Sequence, residues 1–304
     1  MPDLSVIICT HNPRPDFLHR VLSALQAQTL PPEQWELLLI DNASKEPVAG
    51  SRDLSWHPRA RHIREDELGL ACARLRGMRE AAADVLVFFD DDNVPEPSFL
   101  LEVQKINTMW PQLGVWGGSI VPEFQVAPLE HRRPYLSVLS LREVSSARWS
   151  NVPACDEAEP WGAGLCLRKR VAEAYRDLYQ KTNLPVTGRR GSSLISGEDT
   201  EICMVACSLG LGMGLFPELK LVHLIPGERL EEDYLVKLTE GIRTSNYLID
   251  YKWKGIIPPA VFSPGALFRH IRYVLRRGRI QRRIYMAHVK ASLAAWRMIA
   301  ASRS

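Results

Sequence analysis

The chain has 304 residues, of which 46% are hydrophobic and 24% charged, with 38 Lys and Arg against 35 Asp and Glu. That balance excludes a disordered chain and leaves ample material for a core, and the length suits one α/β core with an appended segment. The net +3 conceals a split: residues 251–304 hold 12 Lys or Arg and no Asp or Glu, leaving 26 basic and 35 acidic residues before them. An acidic body thus precedes a strongly basic tail, which points to an acidic partner such as a membrane surface.

Leu4 to Cys9 is a β-rich run broken by Thr10-His11-Asn12-Pro13. A helix from Pro15 to Gln28 follows, with Phe17, Leu18, Val21, Leu22 and Leu25 at helical spacing. Leu37–Ile40 is a second buried strand ending at Asp41-Asn42, His62–Arg64 a short third strand, and Leu70–Ala83 a helix. Val85–Phe89 is an uninterrupted apolar strand that runs into Asp90-Asp91-Asp92, with Pro95 and Pro97 stopping its continuation. This β-α-β-α repetition predicts a mostly parallel sheet with right-handed crossovers and helices on both faces. A helix at 98–109 and a strand at Gly114–Val121 precede a mixed region, Glu123 to Pro160, whose Trp149, Pro153 and Pro160 indicate loops over the sheet edge. Gly162–Leu167 reads as a strand entered through two glycines, and Lys169–Tyr179 as a helix. Thr187–Ser193, rich in Gly, Arg and Ser, is expected to be a mobile loop. Ser196 has the capping-box spacing to Asp199 at the start of the next helix, Leu219–Leu224 is a late strand carrying His223, and Glu231–Ile249 is a long helix.

Polar residues at successive strand ends stand where open α/β sheets bind ligands. Three adjacent carboxylates repel one another unless a cation or donor network offsets them, and alternation along an extended chain would send Asp90 and Asp92 the same way, two oxygen ligands suited to a hard divalent ion. Other features have simpler readings beside the functional ones. An acidic residue at a helix start is commonly a cap, a histidine in an apolar strand is commonly a core residue, and Trp161 serves equally as an anchor or a stacking platform. Neither a Gly-x-Gly-x-x-Gly nor a phosphate-loop motif follows the first strand, which removes the main support for dinucleotide and P-loop readings. Cys9, Cys72, Cys155, Cys166, Cys203 and Cys207 form no Cys-x-x-Cys pair and read as small buried hydrophobes of a reducing compartment. With no signal-peptide pattern after Met1-Pro2-Asp3, a cytoplasmic protein is expected, peripheral on the inner face of the membrane if the tail binds lipid.

Val6–Asn12, Leu39–Asn42, Gly69–Arg74, Phe89–Asn93, Gly162-Ala163-Gly164 and Gly197-Glu198-Asp199 stand in an order that resembles inverting family 2 glycosyltransferases of the GT-A fold, over roughly residues 4 to 225. The resemblance implies a glycosyltransferase domain at 1–225, with a nucleotide-binding half at 1–97 and an acceptor half at 98–225. A helical extension follows at 226–304, basic from 251. It implies a nucleotide-diphosphate sugar donor, a UDP-sugar by expectation, and Mn²⁺ or Mg²⁺ under its phosphates. By carry-over, Thr10, Asn12, Asp41, Arg74, Asp90 and Asp91 would bind the donor, Asp92 and His223 would hold the metal, and Asp199 would be the catalytic base. Trp161, Gly162, Gly164 and Glu198 would face the acceptor, a saccharide or lipid-linked hydroxyl. A non-catalytic nucleotide-sugar-binding scaffold and a sugar nucleotidyltransferase are the alternatives. The second expects a glycine-rich basic loop after the first strand, and Thr10–Arg14 lacks that glycine.

In the tail, Ser263-Pro264 marks a helix start and Gly278 an interruption, giving two helices. Ile284, His288, Ala291, Ala295 and Met298 form a stripe on the second. Leu267, Ile271, Val274 and Leu275 form an apolar face on the first, beside Arg269, Arg272, Arg276 and Arg277. The segment 264–301 is therefore expected either to lie on an anionic membrane or to pack on the acidic body. Nucleic acid is not expected as a partner, because nothing in the motifs calls for it.

Overall fold

Strand β1 (Leu4–Thr10) is buried along its whole length, and its alternating side chains feed two separate cores. The computed structural model describes residues 1–153, 157–184, 188, 189, 191 and 193–303. In chain order the next elements are α1 (Pro15–Gln26), β2 (Trp35–Asn42), β3 (Ala60–Glu65), α2 (Leu70–Glu80), β4 (Val85–Asp90), β5 (Asn93–Pro95), α3 (Phe99–Met109) and β6 (Leu113–Phe124). Then come β7 (Arg148–Ser150), β8 (Leu165–Arg168), α4 (Lys169–Lys181), α5 (Glu198–Ser208), β9 (Gly212–Ile225), α6 (Glu232–Lys254), α7 (Pro264–Arg276) and α8 (Arg279–Arg303).

The sheet runs β3-β2-β1-β4-β8-β6-β9-β5, with β7 also on β9. Leu4, Val6 and Ile8 point to the face covered by α1 and α3, where Leu18, Val21, Phe99 and Val103 are buried. Ile7 and Cys9 point to the opposite face, against Ala73 and Met78 of α2, Val171 of α4 and Ile202 of α5. Two buried faces explain why β1, β2 and β4 read as continuous apolar runs rather than alternating ones.

The expected α/β plan is present, and its parallel character belongs to β3-β2-β1-β4 and to the β6–β9 pair. Strand β8 enters antiparallel to both neighbours, and β5 and β7 are antiparallel to β9. Local differences from the sequence reading have visible causes. Pro95 does not end the strand region, because after a turn at Asp91-Asp92 the chain forms β5 along β9, at a sheet edge where a missing N–H is tolerated. Gly162–Gly164 is a turn rather than strand, with Gly164 at φ +70°, and β8 begins only at Leu165. The mixed region holds 3₁₀ turns at Glu130–Leu139 before β7 reaches the edge of β9. Cys9, Cys166 and Cys203 are buried as expected. Cys155, part of Thr187–Ser193 and the side chain of Arg269 lie outside the described residues.

The tail divides between the two expected outcomes. Helix α8 packs along α6, burying Ala287, Ala291, Ser292, Ala295 and Ile299, so the stripe that includes Ala291 and Ala295 faces protein. Its small side chains let the helices approach closely, and Arg283 pairs with Glu232 and Asp233 at the start of α6. For this stripe the packing alternative is the one observed. Helix α7 keeps its predicted start, with Ser263 Oγ accepting from Ala266 N and Pro264 in the first turn, and it leaves Leu267, Ile271 and Leu275 exposed.

Candidate active site

Strands β1 and β4 lie side by side in parallel with Cys9 opposite Asp90, so both deliver polar side chains to the same sheet edge. Beyond Asp90 the backbone turns, and Asn93 Oδ1 accepts from Asp90 N at 3.1 Å while Asn93 Nδ2 donates to Asp92 Oδ1 at 2.8 Å. Strand alternation therefore stops at Asp90, which corrects the expectation that Asp91 points away. Asp90, Asp91 and Asp92 all line one cavity of about 250 Å³, together with Thr10, His11, Asn42, Gly69, Arg189 and Arg229.

The carboxylates sit in different surroundings. Asp90 faces Arg74 at 3.4 Å. Asp91 accepts from the Thr10 hydroxyl, yet burial and the neighbouring Asp92 push its carboxyl up to about 7. Burial acts on Asp92 in the same direction, but His223 and Arg229 override it and hold its carboxyl well below the usual range. Strand pairing explains the meeting: β5 sets Asn93 opposite His223, which brings His223 Nε2 to 3.5 Å from Asp92 Oδ2.

Arg229 Nη1 stands at the same junction, 2.8 Å from Asp92 Oδ2 and 3.2 Å from His223 Nε2. Among the described residues no set of three or more His, Cys, Asp or Glu side chains is arranged to hold a metal ion. A carboxylate oxygen and an imidazole nitrogen are donor types that a divalent cation could share, with its other positions left to a ligand. The Arg229 guanidinium already supplies positive charge between them.

Asp199 belongs to a second cavity of about 570 Å³, lined also by Glu159, Trp161, Ser196, Thr200 and Arg243. The expected cap is corrected here. Gly197, at φ +116°, is the N-cap of α5, and Ser196 instead donates its N–H to Ser245 Oγ. Freed from a capping-box role, the Asp199 carboxylate accepts from Gly162 N at 2.8 Å and Thr200 N at 2.9 Å. One ring face of Trp161 carries the Arg142 guanidinium, 3.6 Å from the centroid.

Contacts connect the two cavities. Arg74 is buried and reaches Asp90 on one side and Glu198 Oε1 at 2.9 Å on the other. Burial raises the Glu198 carboxyl and Arg74 opposes that shift. A Cβ on Gly162 would come within 2.5 Å of Arg74 Nη2, so the space beside this glycine is filled by Arg74. Gly164 is required by its left-handed backbone, and Leu221 and Phe99 fill the space where its Cβ would lie.

Of the sequence-derived donor residues, Thr10, Asp90 and Asp91 line the first cavity, together with the metal candidate Asp92. Asn12, Asp41, Arg74 and Glu198 are not among the residues lining either cavity. Asp41 accepts from Ser44 N, Val48 N and Arg64, which orders the loop after β2. Asn12, at φ 48°, takes Lys45 N on its Oδ1 and gives its own N–H to Ser44 Oγ, clamping the same loop. His11, Arg189 and Arg229 were missed. His11 is the one the sequence could have offered, since it follows Thr10 at the strand end.

Sheet order and the acid-lined cavity at its carboxyl edge define the GT-A class of α/β folds. Residues 5–108, about a third of the chain, match the model of glycosyl transferase family 2. Validoxylamine A glucosyltransferase of Streptomyces hygroscopicus subsp. limoneus is 35% identical over 106 residues, 34% of this chain and 23% of that protein. Succinoglycan biosynthesis protein ExoW of Rhizobium meliloti is 32% identical over 140 residues, 43% of each. The chain thus spans less than half the length of these curated relatives. The crystal structure of S. aureus TarS 1–349 shares the fold with a TM-score of 0.54, covering 98% of this chain and 92% of that one at 10% identity.

Proposed function

We propose that this protein is an inverting glycosyltransferase that moves a sugar from a nucleotide-diphosphate donor, a UDP-sugar, to a saccharide or lipid-linked hydroxyl in glycoconjugate or polysaccharide assembly. The observation that carries the reading is the contact path Asp90–Arg74–Glu198 with Gly162 packed on it, running from an acid-lined cavity to the Asp199 cavity. A donor seated in the first cavity would present its anomeric carbon toward an acceptor in the second.

In this mechanism Asp199 accepts the proton of the attacking hydroxyl as the nucleotide leaves. Its carboxylate is oriented by the Gly162 and Thr200 amides, so positioning carries much of its effect. Arg189 and Arg229 line the donor cavity and would offset charge on the diphosphate. A divalent cation, Mn²⁺ or Mg²⁺, would be held by Asp92 and His223 and would stabilise the same developing charge. Relatives named for glucosyl transfer and succinoglycan biosynthesis support a sugar donor and a saccharide product.

The test is turnover of a panel of nucleotide sugars with an acceptor mixture, alongside release of pyrophosphate from nucleoside triphosphates. Sugar transfer with inverted anomeric configuration is the expected result. Pyrophosphate release would establish a nucleotidyltransferase, and tight donor binding without turnover on any acceptor would establish a scaffold.

A further inference from the structure

We propose that helix α7 seats this protein on an anionic lipid bilayer, with its apolar ridge in the acyl boundary and its arginines among the headgroup phosphates. The inference is independent of sugar transfer and rests on how the helix divides its surface. Successive residues turn by 100°, so Leu267, Phe268, Ile271 and Leu275 fall within one third of the circumference, Arg272 and Arg276 lie beside them, and Ala266, His270, Tyr273 and Val274 share a separate face.

That last face is already occupied. Ala266 is buried, Tyr273 stacks on Tyr285 of α8 with ring centroids 4.0 Å apart, and His270 bonds both the Tyr285 hydroxyl and the Val261 carbonyl. Because a carbonyl only accepts, Nε2 of His270 carries the proton and its Nδ1 takes the tyrosine hydroxyl's. The helix is therefore pinned through one face, and its other side chains do not turn inward. Leu267 is 56% exposed, Phe268 68%, Ile271 53% and Leu275 74%. Phe262, just before the helix, is 80% exposed. Leu267, Ile271 and Leu275 form a continuous ridge of roughly 12 Å at 1.5 Å per residue, with Phe268 alongside.

Charge identifies the occupant. Arg272, Arg276 and Arg277 are exposed along the flank and end of the helix, and the sequence from 251 onward contains no Asp or Glu. A second copy docking symmetrically through α7 would set arginine against arginine, with no carboxylate of this tail to offset them. An anionic bilayer offers both chemistries at the required depths, acyl chains for the ridge and phosphates for the arginines.

The experiment is co-sedimentation of the full chain with phosphatidylglycerol-containing and pure phosphatidylcholine vesicles at 50 mM and 500 mM salt. Binding is expected with the anionic vesicles only, and it should weaken with salt. The double variant Arg272→Gln, Arg276→Gln should partition about 25-fold less at low salt, roughly fivefold per arginine. Phe268→Glu with Ile271→Glu should abolish binding while circular dichroism and melting stay unchanged, since both side chains are exposed. A Phe268→Trp variant should show blue-shifted emission on adding anionic vesicles. Absence of binding by the unmodified chain at 50 mM salt, equal binding to phosphatidylcholine, or unchanged binding by the glutamate variant would each overturn the proposal. A concentration-dependent dimer lost in the glutamate variant, without vesicle binding, would assign the ridge to a second copy instead.

Discussion

The carboxylate of Asp199 meets two backbone N–H groups, whereas that of Asp92 meets a guanidinium and an imidazole, and the roles proposed for them follow from that contrast. Amide donors hold a carboxylate in place while leaving it free to accept a proton, so Asp199→Asn should preserve donor affinity and lower transfer by about 10² to 10⁴. Single-turnover rates beside calorimetric binding separate these. Equal loss of affinity and rate would make the anchoring of Gly162 the main task of Asp199. A different residue governs acid stability. His57 is buried at 3% exposure against the Trp35 ring, and burial lowers its imidazole from 6.5 to about 4. Above pH 6.5 the ring is neutral in both folded and unfolded chains. Between 6.5 and 4 the unfolded chain binds a proton that the folded one refuses, so stability falls with pH, by up to about 3 kcal/mol for a fully realised shift. Urea midpoints across this window should decline less steeply in His57→Gln than in the unmodified protein, and parallel slopes would contradict the assignment.

Arg74 joins α2 to β4 through Asp90 and to α5 through Glu198, so a single side chain ties elements of both cavities. Removing one member of a buried pair strands the other's charge, and Arg74→Met should cost about 3–5 kcal/mol. Adding Glu198→Leu removes the stranded carboxylate and should restore most of that loss in urea unfolding; a double variant as unstable as the single would mean that Asp90 is the dominant partner. The ease of reading at this scale depended on locality. Strands β1, β2 and β4 were legible because both faces are buried, and the acid cluster because it directly follows such a strand. Beginning β8 at Gly162 failed because Gly164 adopts φ +70°, and Leu221 and Phe99 stand where its Cβ would lie. The Ser196 cap failed because Ser245, on a helix 49 positions away, claims the Ser196 N–H. Arg229 was invisible for the same reason, since it meets Asp92 across 137 positions through a 3₁₀ turn that no spacing announces. His223 rose above a core-histidine reading only through the family resemblance, although its pairing with Asn93 is what brings it to Asp92.

At the scale of the molecule, an acidic body and a basic tail are reconciled by division of labour. Helix α8 meets the body, with Arg283 on Glu232 and Asp233, and α7 keeps Arg272 and Arg276 outward. No helix among the described residues is long and apolar enough to cross a membrane. The central claim is that one cavity binds a nucleotide sugar through Asp92 and its cationic partners while Asp199, across the Arg74 contact, acts only on the acceptor. Thermal shift with UDP-sugars, with and without Mn²⁺, on the unmodified protein, Asp92→Ala and Asp199→Asn tests it most directly, because a ligand raises apparent stability with the logarithm of its saturation. The account predicts a nucleotide-sugar shift that Mn²⁺ enlarges, that Asp199→Asn retains and that Asp92→Ala loses. No shift with any nucleotide sugar, or a shift that survives Asp92→Ala and disappears in Asp199→Asn, would contradict it.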